Sequence, residues 1–176
     1  MNENMIGGEL IAEGGFGCIF KPALKCDGSE FKSDKYVSKL QKYNKNSKIE
    51  INIGSILKKI SGYENYFGPI LDYCSMNVSK IQSKHKKKCK IFHDQDINKF
   101  ILMKMHYIPG EKFLNYLMLN SQTNELINII MSSYNHLLNG ITMLKDNDII
   151  HFDIKGNNIL FNELMKTPII IDFGLS

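Results

Sequence analysis

The chain has 176 residues, 43% of them hydrophobic, and a formal net charge of +4 carried on the basic side by lysine alone. That is enough for one domain or two small lobes with a real core, and no apolar run approaches the roughly 20 residues of a membrane-spanning helix. The N-terminal Met1-Asn2-Glu3-Asn4 lacks a basic-then-apolar signal pattern, so an intracellular, cytoplasmic protein is expected, with neither nucleic acid nor membrane as a partner. The four cysteines include no CxxC pair, and disulfides are not expected in a reducing compartment. Cys89 lies between His85 and His93, but these spacings match no common zinc framework. The lysine-rich run from Lys84 to Lys90 has no interleaved aromatics and reads as a solvated loop.

Residues 9–11 and 18–24 are short β-prone runs separated by Ala12-Glu13-Gly14-Gly15-Phe16-Gly17. The pattern is strand, glycine turn, strand. Such a hairpin brings backbone N–H groups close to a ligand's phosphate oxygens, or serves only as a flexible turn. Residues 35–40 form the next strand, with Val37 and Lys39 on one face. A lysine on an inner face needs an anionic partner; on an edge strand it faces water. Ile49, Ile53, Ile56, Leu57 and Ile60 then recur at helical spacing. Glu50 flanks that stripe. It either reaches Lys39 or closes a capping box with Ser47.

Residues 70–74 and 100–105 read as two more strands, and Pro109-Gly110 marks a boundary between two lobes. A short helix over 113–119 is followed by a long one, in which Leu126, Ile130, Tyr134, Leu137, Ile141 and Leu144 form the core stripe. It leads to Ile149-Ile150-His151-Phe152-Asp153-Ile154-Lys155-Gly156-Asn157-Asn158, and a further apolar run ends at Asp172-Phe173-Gly174. One carboxylate, a lysine, two amides and a second carboxylate suit a phosphate donor, its metal ion and a proton acceptor.

Glycine hairpin, strand lysine, helix glutamate, His-x-Asp loop with a downstream asparagine, then Asp-Phe-Gly: in this order the chain resembles the protein-kinase family, across essentially its whole length. The resemblance implies an α+β fold: a small antiparallel five-stranded N-lobe with one helix over 1–108, and the first part of a mainly helical C-lobe over 109–176. It implies that Gly14, Gly15, Phe16 and Gly17, with Ala12 and Glu13 beside them, cover the phosphates of ATP. Ile11, Ile19 and Val37 would enclose the adenine, and Met105, His106 and Ile108 would line the linker that binds it. Lys39, fixed by Glu50, would hold the α- and β-phosphates. Asp153 would accept the proton of the substrate hydroxyl, and Asn158 and Asp172 would hold Mg²⁺.

Asp-Ile-Lys matches the serine/threonine type, with Lys155 beside the transferring phosphate, and His151 would pack and orient the loop. The glycine segment and His-Phe-Asp-Ile-Lys also resemble kinases of giant DNA viruses, which would place the protein in the host cytoplasm. Ala12 stands where the first loop glycine usually lies, and Phe152 replaces an arginine that often pairs with a phosphorylated activation loop. Only Leu175 and Ser176 follow Gly174, so the resemblance implies a chain lacking the activation segment, with an exposed face on the long helix. The function expected is phosphoryl transfer to serine or threonine of protein substrates. The alternative is a nucleotide-binding pseudokinase or interaction module.

Overall fold

The computed structural model describes residues 9–14, 17–76, 89–92 and 99–176. Gly15, Phe16, His85, His93 and the lysines of 84–88 lie outside the described residues. The chain divides into two compact units, Met1–Ile51 with Ile70–Tyr107, and Asn52–Pro69 with Ile108–Ser176.

The first unit is built on five antiparallel strands: β1 (Glu9–Gly14), β2 (Gly17–Lys21), β3 (Tyr36–Lys42), β4 (Asp72–Met76) and β5 (Phe100–His106), in the order β1-β2-β3-β5-β4. Helix α1 (Lys45–Leu57) follows β3. It starts where it does because Asn44 and Ser47 cap it reciprocally. The Ser47 N–H donates to Asn44 Oδ1 at 3.0 Å and the Asn44 N–H to Ser47 Oγ at 2.9 Å.

Strand pairing sets the two faces of the sheet. Ile19 lies opposite Lys39, and Val37, Lys39 and Gln41 lie opposite Met105, Met103 and Ile101. On this face Ile101 and Met103 pack with Ile70, Ile51 and Met105. The other face is equally dry. Cys18, Phe20, Leu40, Phe100, Leu102 and Met76 form a cluster there with Leu24 and Cys89. Two segments cover it: the connection between β2 and β3, whose Leu24 N–H donates to Ser38 Oγ at 3.0 Å, and residues 89–92.

Each cover is fastened covalently, Cys26 to Cys74 and Cys18 to Cys89. This corrects the expectation that the thiols are unpaired. Sequence spacing carries no information about partners 71 and 48 residues apart. Loops of that length imply about 4 kcal/mol each from loss of unfolded-chain entropy.

In the second unit β6 (Gly110–Lys112), β7 (Ile159–Asn162) and β8 (Thr167–Ile170) form a small antiparallel sheet in that order. Helix α2 (Phe113–Leu119) lies against it through Tyr116, whose ring stacks on Phe161 at 3.8 Å. Helix α3 (Leu126–Lys145) leads to the loop that carries His151, Asp153 and Lys155. The core joins Leu57, Phe67, Leu144, Ile149, Ile170 and Phe173.

The face α3 turns inward keeps only part of the stripe expected. Ser133, Gly140 and Leu144 are buried and Leu137 partly so, whereas Ile130, Tyr134 and Ile141 are exposed and Ile127 is 73% exposed. The helix is apolar on more than one side. The small residues Ser133 and Gly140 share the side in contact with Leu137 and Leu144.

Leu57 has no exposed surface. Leu57→Ala is expected to lower stability by about 2–5 kcal/mol, read as a shift of the urea midpoint.

Candidate active site

Lys39 stands on β3 with its side chain on the α1 face, and Glu50 comes from the second turn of α1. Lys39 Nζ donates to both carboxylate oxygens, at 2.8 and 2.9 Å. Both side chains are nearly dry, 10% and 5% exposed. Burial of such a pair is tolerated only when geometry and further hydrogen bonds offset the lost hydration. Gln41 adds a long contact, Nε2 to Glu50 Oε2 at 3.5 Å. The helix start is already satisfied by Asn44 and Ser47, which frees Glu50 from capping.

In the second unit the β7–β8 hairpin sets the geometry. Ile159 pairs with Ile170, and the Ile171 N–H donates to the carbonyl of Asn158 at 2.9 Å. The hairpin therefore presents Asn158 one residue before β7 on one side and Asp172 two residues after β8 on the other. Asn158 Nδ2 donates to the Asp153 carbonyl at 3.0 Å and to Asp153 Oδ2 at 2.9 Å. With Nδ2 engaged as donor, the acceptor of this side chain is Oδ1, distinct from the backbone carbonyl that takes the Ile171 N–H. Lys155 Nζ grips both Asp153 oxygens, at 2.9 and 2.7 Å. The Lys155 hydrogen bond, with smaller help from Asn158 and from the lysine's charge, holds the Asp153 carboxyl below the ordinary range against an opposing desolvation.

Two further features fix this loop. The Asp153 N–H donates to His151 Nδ1 at 3.3 Å, and His151 Nε2 lies 3.1 Å from the Ile171 carbonyl. An acceptor role at Nδ1 and a donor role at Nε2 specify one tautomer, with its proton on Nε2. The ring also meets Phe173 edge-on at 4.7 Å, and Phe173 is buried in the core. Asp172 adopts φ +67°, a conformation non-glycine residues avoid and one that concentrates at functional sites.

The remaining expected residues sit as follows. Ala12 pairs with Ile19 on the Lys39 face, and Val37 pairs with Met105. Ile11 is the bulge residue between Leu10 and Ala12 and is exposed. Gly14 pairs with Gly17 at the hairpin end, and a Cβ on Gly17 would collide with the Leu40 carbonyl. Glu13 lies opposite Cys18, on the other face from Lys39, and bonds to Lys90. His106 stacks on Tyr36, and Ile108 begins the second unit's longer segment. Gln41 is the residue missed. Its alternation with Lys39 was the available signal.

The donor set fits a hard divalent cation, with an amide oxygen from Asn158 and a carboxylate from Asp172 at one end of one hairpin. Among the described residues no helix is long and apolar enough to cross a membrane.

No protein-family model matches the chain. It is 35% identical over 72 residues to the EKC/KEOPS complex subunit bud32 of Dictyostelium discoideum, covering 41% of this chain and 29% of that protein. It is 33% identical over 70 residues to the serine/threonine-protein kinase ppk25 of Schizosaccharomyces pombe, covering 40% of this chain and 16% of that protein. The chain thus spans less than a third of either curated relative's length. These partial likenesses support a protein-kinase-like family.

Lys39→Ala would leave Glu50 buried without its cation and is expected to cost about 3–5 kcal/mol. The Lys39→Met, Glu50→Leu double variant should recover most of that loss in urea melts. Lys155→Met should raise the Asp153 pKa, so that in a carboxyl NMR titration the residue loses its charge at higher pH than in the parent protein.

Proposed function

We propose that the chain carries out ATP- and magnesium-dependent phosphoryl transfer to serine or threonine hydroxyls of protein substrates, with residues 1–108 as a kinase N-lobe and 109–176 as the first part of a C-lobe. The observation that carries this reading is the Asp153 carboxylate, gripped by Lys155 and Asn158 beside the hairpin end that presents Asp172. The partial likeness to a serine/threonine kinase supports it.

In this reading the Asp153 carboxylate, kept ionised by its lysine, accepts a hydrogen bond from the substrate hydroxyl and takes its proton as the oxygen attacks. The Lys155 ammonium then lies beside the transferring phosphate, where it offsets developing negative charge. Lys39, held rigid by Glu50, binds the α- and β-phosphates of the nucleotide substrate. Gly14 and Gly17, with the turn between them, offer backbone N–H groups to phosphate oxygens. Ala12, Ile19 and Val37 supply apolar contact for the base, and Met105, His106 and Ile108 supply backbone groups for its edge. The Asn158 amide oxygen and the Asp172 carboxylate would hold Mg²⁺, which would supply neutralisation of phosphate charge when bound.

A second reading, a nucleotide-binding interaction module without transfer, is favoured by the exposed Ile127, Met131 and Tyr134 on α3, a surface suited to a partner.

Mg-ATP is expected to raise the melting temperature. Asp172→Asn should abolish the rise, because asparagine tolerates the same backbone conformation but lacks the charge. Transfer of labelled phosphate to a generic protein substrate should disappear in Asp153→Asn while the melting shift survives. A shift without transfer in the parent protein would select the second reading, and no shift at all would end both.

A further inference from the structure

The last rungs of the glycine hairpin are held from outside the hairpin. Glu13 and Cys18 are directly opposite each other in the β1–β2 register, one rung before Gly14 and Gly17. Both are tied to consecutive residues of a distant segment. Cys18 is joined to Cys89. The N–H of Lys90 donates to Glu13 Oε1 at 2.6 Å, and Lys90 Nζ lies 3.5 Å from Glu13 Oε2. The segment is itself seated. Ile91 and Phe92 pack on the outer-face cluster, and Phe92 lies 5.3 Å from the Phe100 ring. Glu13, Cys18 and Cys89 place their ligand atoms within 4.8 Å of one another. With the two sulfurs bonded together, however, no thiolate is left for a cation.

We propose that the Cys18–Cys89 bond and the Glu13–Lys90 contacts form one clasp that fixes the glycine hairpin and makes nucleotide affinity depend on the thiol state of Cys18 and Cys89. The nucleotide half of this statement rests on the phosphoryl-transfer reading. The physical reason is preorganisation. A hairpin that must hold its N–H groups on phosphate oxygens loses affinity when ordering is deferred to binding.

Opening requires a low-molecular-weight thiol. A thiolate attacks one sulfur, forms a mixed disulfide and releases the other cysteine. A second thiol then resolves the mixed disulfide, so that two thiols become one disulfide and two electrons and two protons pass to Cys18 and Cys89. Cys18 and Cys89 are fully buried, whereas Cys26 is exposed. The Cys26–Cys74 bond therefore opens first under graded thiol and serves as an internal control.

The test uses the full chain. Peptide mass mapping after thiol blocking assigns the bonds, and hydrogen exchange of the β1–β2 peptide is read as thiol is raised. Mg-ATP affinity is measured calorimetrically on the same samples. Opening of the second bond, not the first, should speed hairpin exchange about tenfold and weaken Mg-ATP about fivefold or more. Glu13→Gln should weaken Mg-ATP with little change in kcat, Glu13→Asp should restore part of the loss, and Cys26→Ser with Cys74→Ser should leave affinity unchanged.

Cys18 and Cys89 found unjoined, with or without bound zinc, would overturn the clasp, as would hairpin exchange indifferent to its opening. Faster exchange with unchanged affinity would overturn the coupling to nucleotide. Absence of Mg-ATP binding in either thiol state would instead overturn the phosphoryl-transfer reading, and with it the coupling, while exchange alone would decide the clasp.

Discussion

A lysine ammonium and a glutamate carboxylate, both nearly dry and 2.8 Å apart, impose the strictest demand on this fold. Neither charge is stable there without the other. Satisfying both requires β3 to sit inside the sheet between β2 and β5, and α1 to start at one residue and no other. The Asn44–Ser47 cap supplies that start, and it does so without using Glu50. Strand register supplies the rest, since the alternation that aims Lys39 at Glu50 puts Val37 and Gln41 on the same face, and Gln41 reaches Glu50 as well. A one-residue slip of β3 would turn Lys39 onto the apolar outer face.

The loop from His151 to Asn158 solves a different electrostatic problem. Asp153 is not buried by apolar groups. It is held by donors, two from Lys155 and one from Asn158, and its backbone is fastened by His151. The imidazole spends both nitrogens on the backbone, one on Asp153 and one on Ile171, and its ring packs edge-on with Phe173. Its contacts are thus those of a residue that positions the loop. The same hairpin end that anchors Ile171 carries Asp172 into its unusual backbone conformation.

Much of this was legible in the residues. Five strands and three helices, through 49–60, 113–119 and 126–144, follow from period-two and helical patterns, whereas the residues alone left Glu50 between Lys39 and a capping box, and the kinase resemblance pointed to Lys39. What was hidden had physical reasons. β6 is three exposed residues, Gly110-Glu111-Lys112, with no apolar alternation to reveal it. The inward face of α3 is marked by Ser133 and Gly140, whose small size permits contact but carries no hydrophobic signal. The side chain of Glu13 was placed with the glycine loop, yet register turns it to Lys90. The disulfides join segments that only the folded sheet brings together.

The double covering of the five-stranded sheet has a consequence for how this sequence can drift. An antiparallel sheet commonly keeps one wetted face on which substitutions are nearly free. Here β5 is packed on both sides, by Phe100 and Leu102 on one and Ile101 and Met103 on the other, all almost fully enclosed. It offers no permissive position along its first four residues. Variation is channelled instead to the edge strands, to β1 with its exposed residues beyond Leu10 and to β4 with Asp72, Tyr73 and Ser75 in water. The centre of the sheet is thus closed to drift twice over, by volume along β5 and by one buried ion pair on β3.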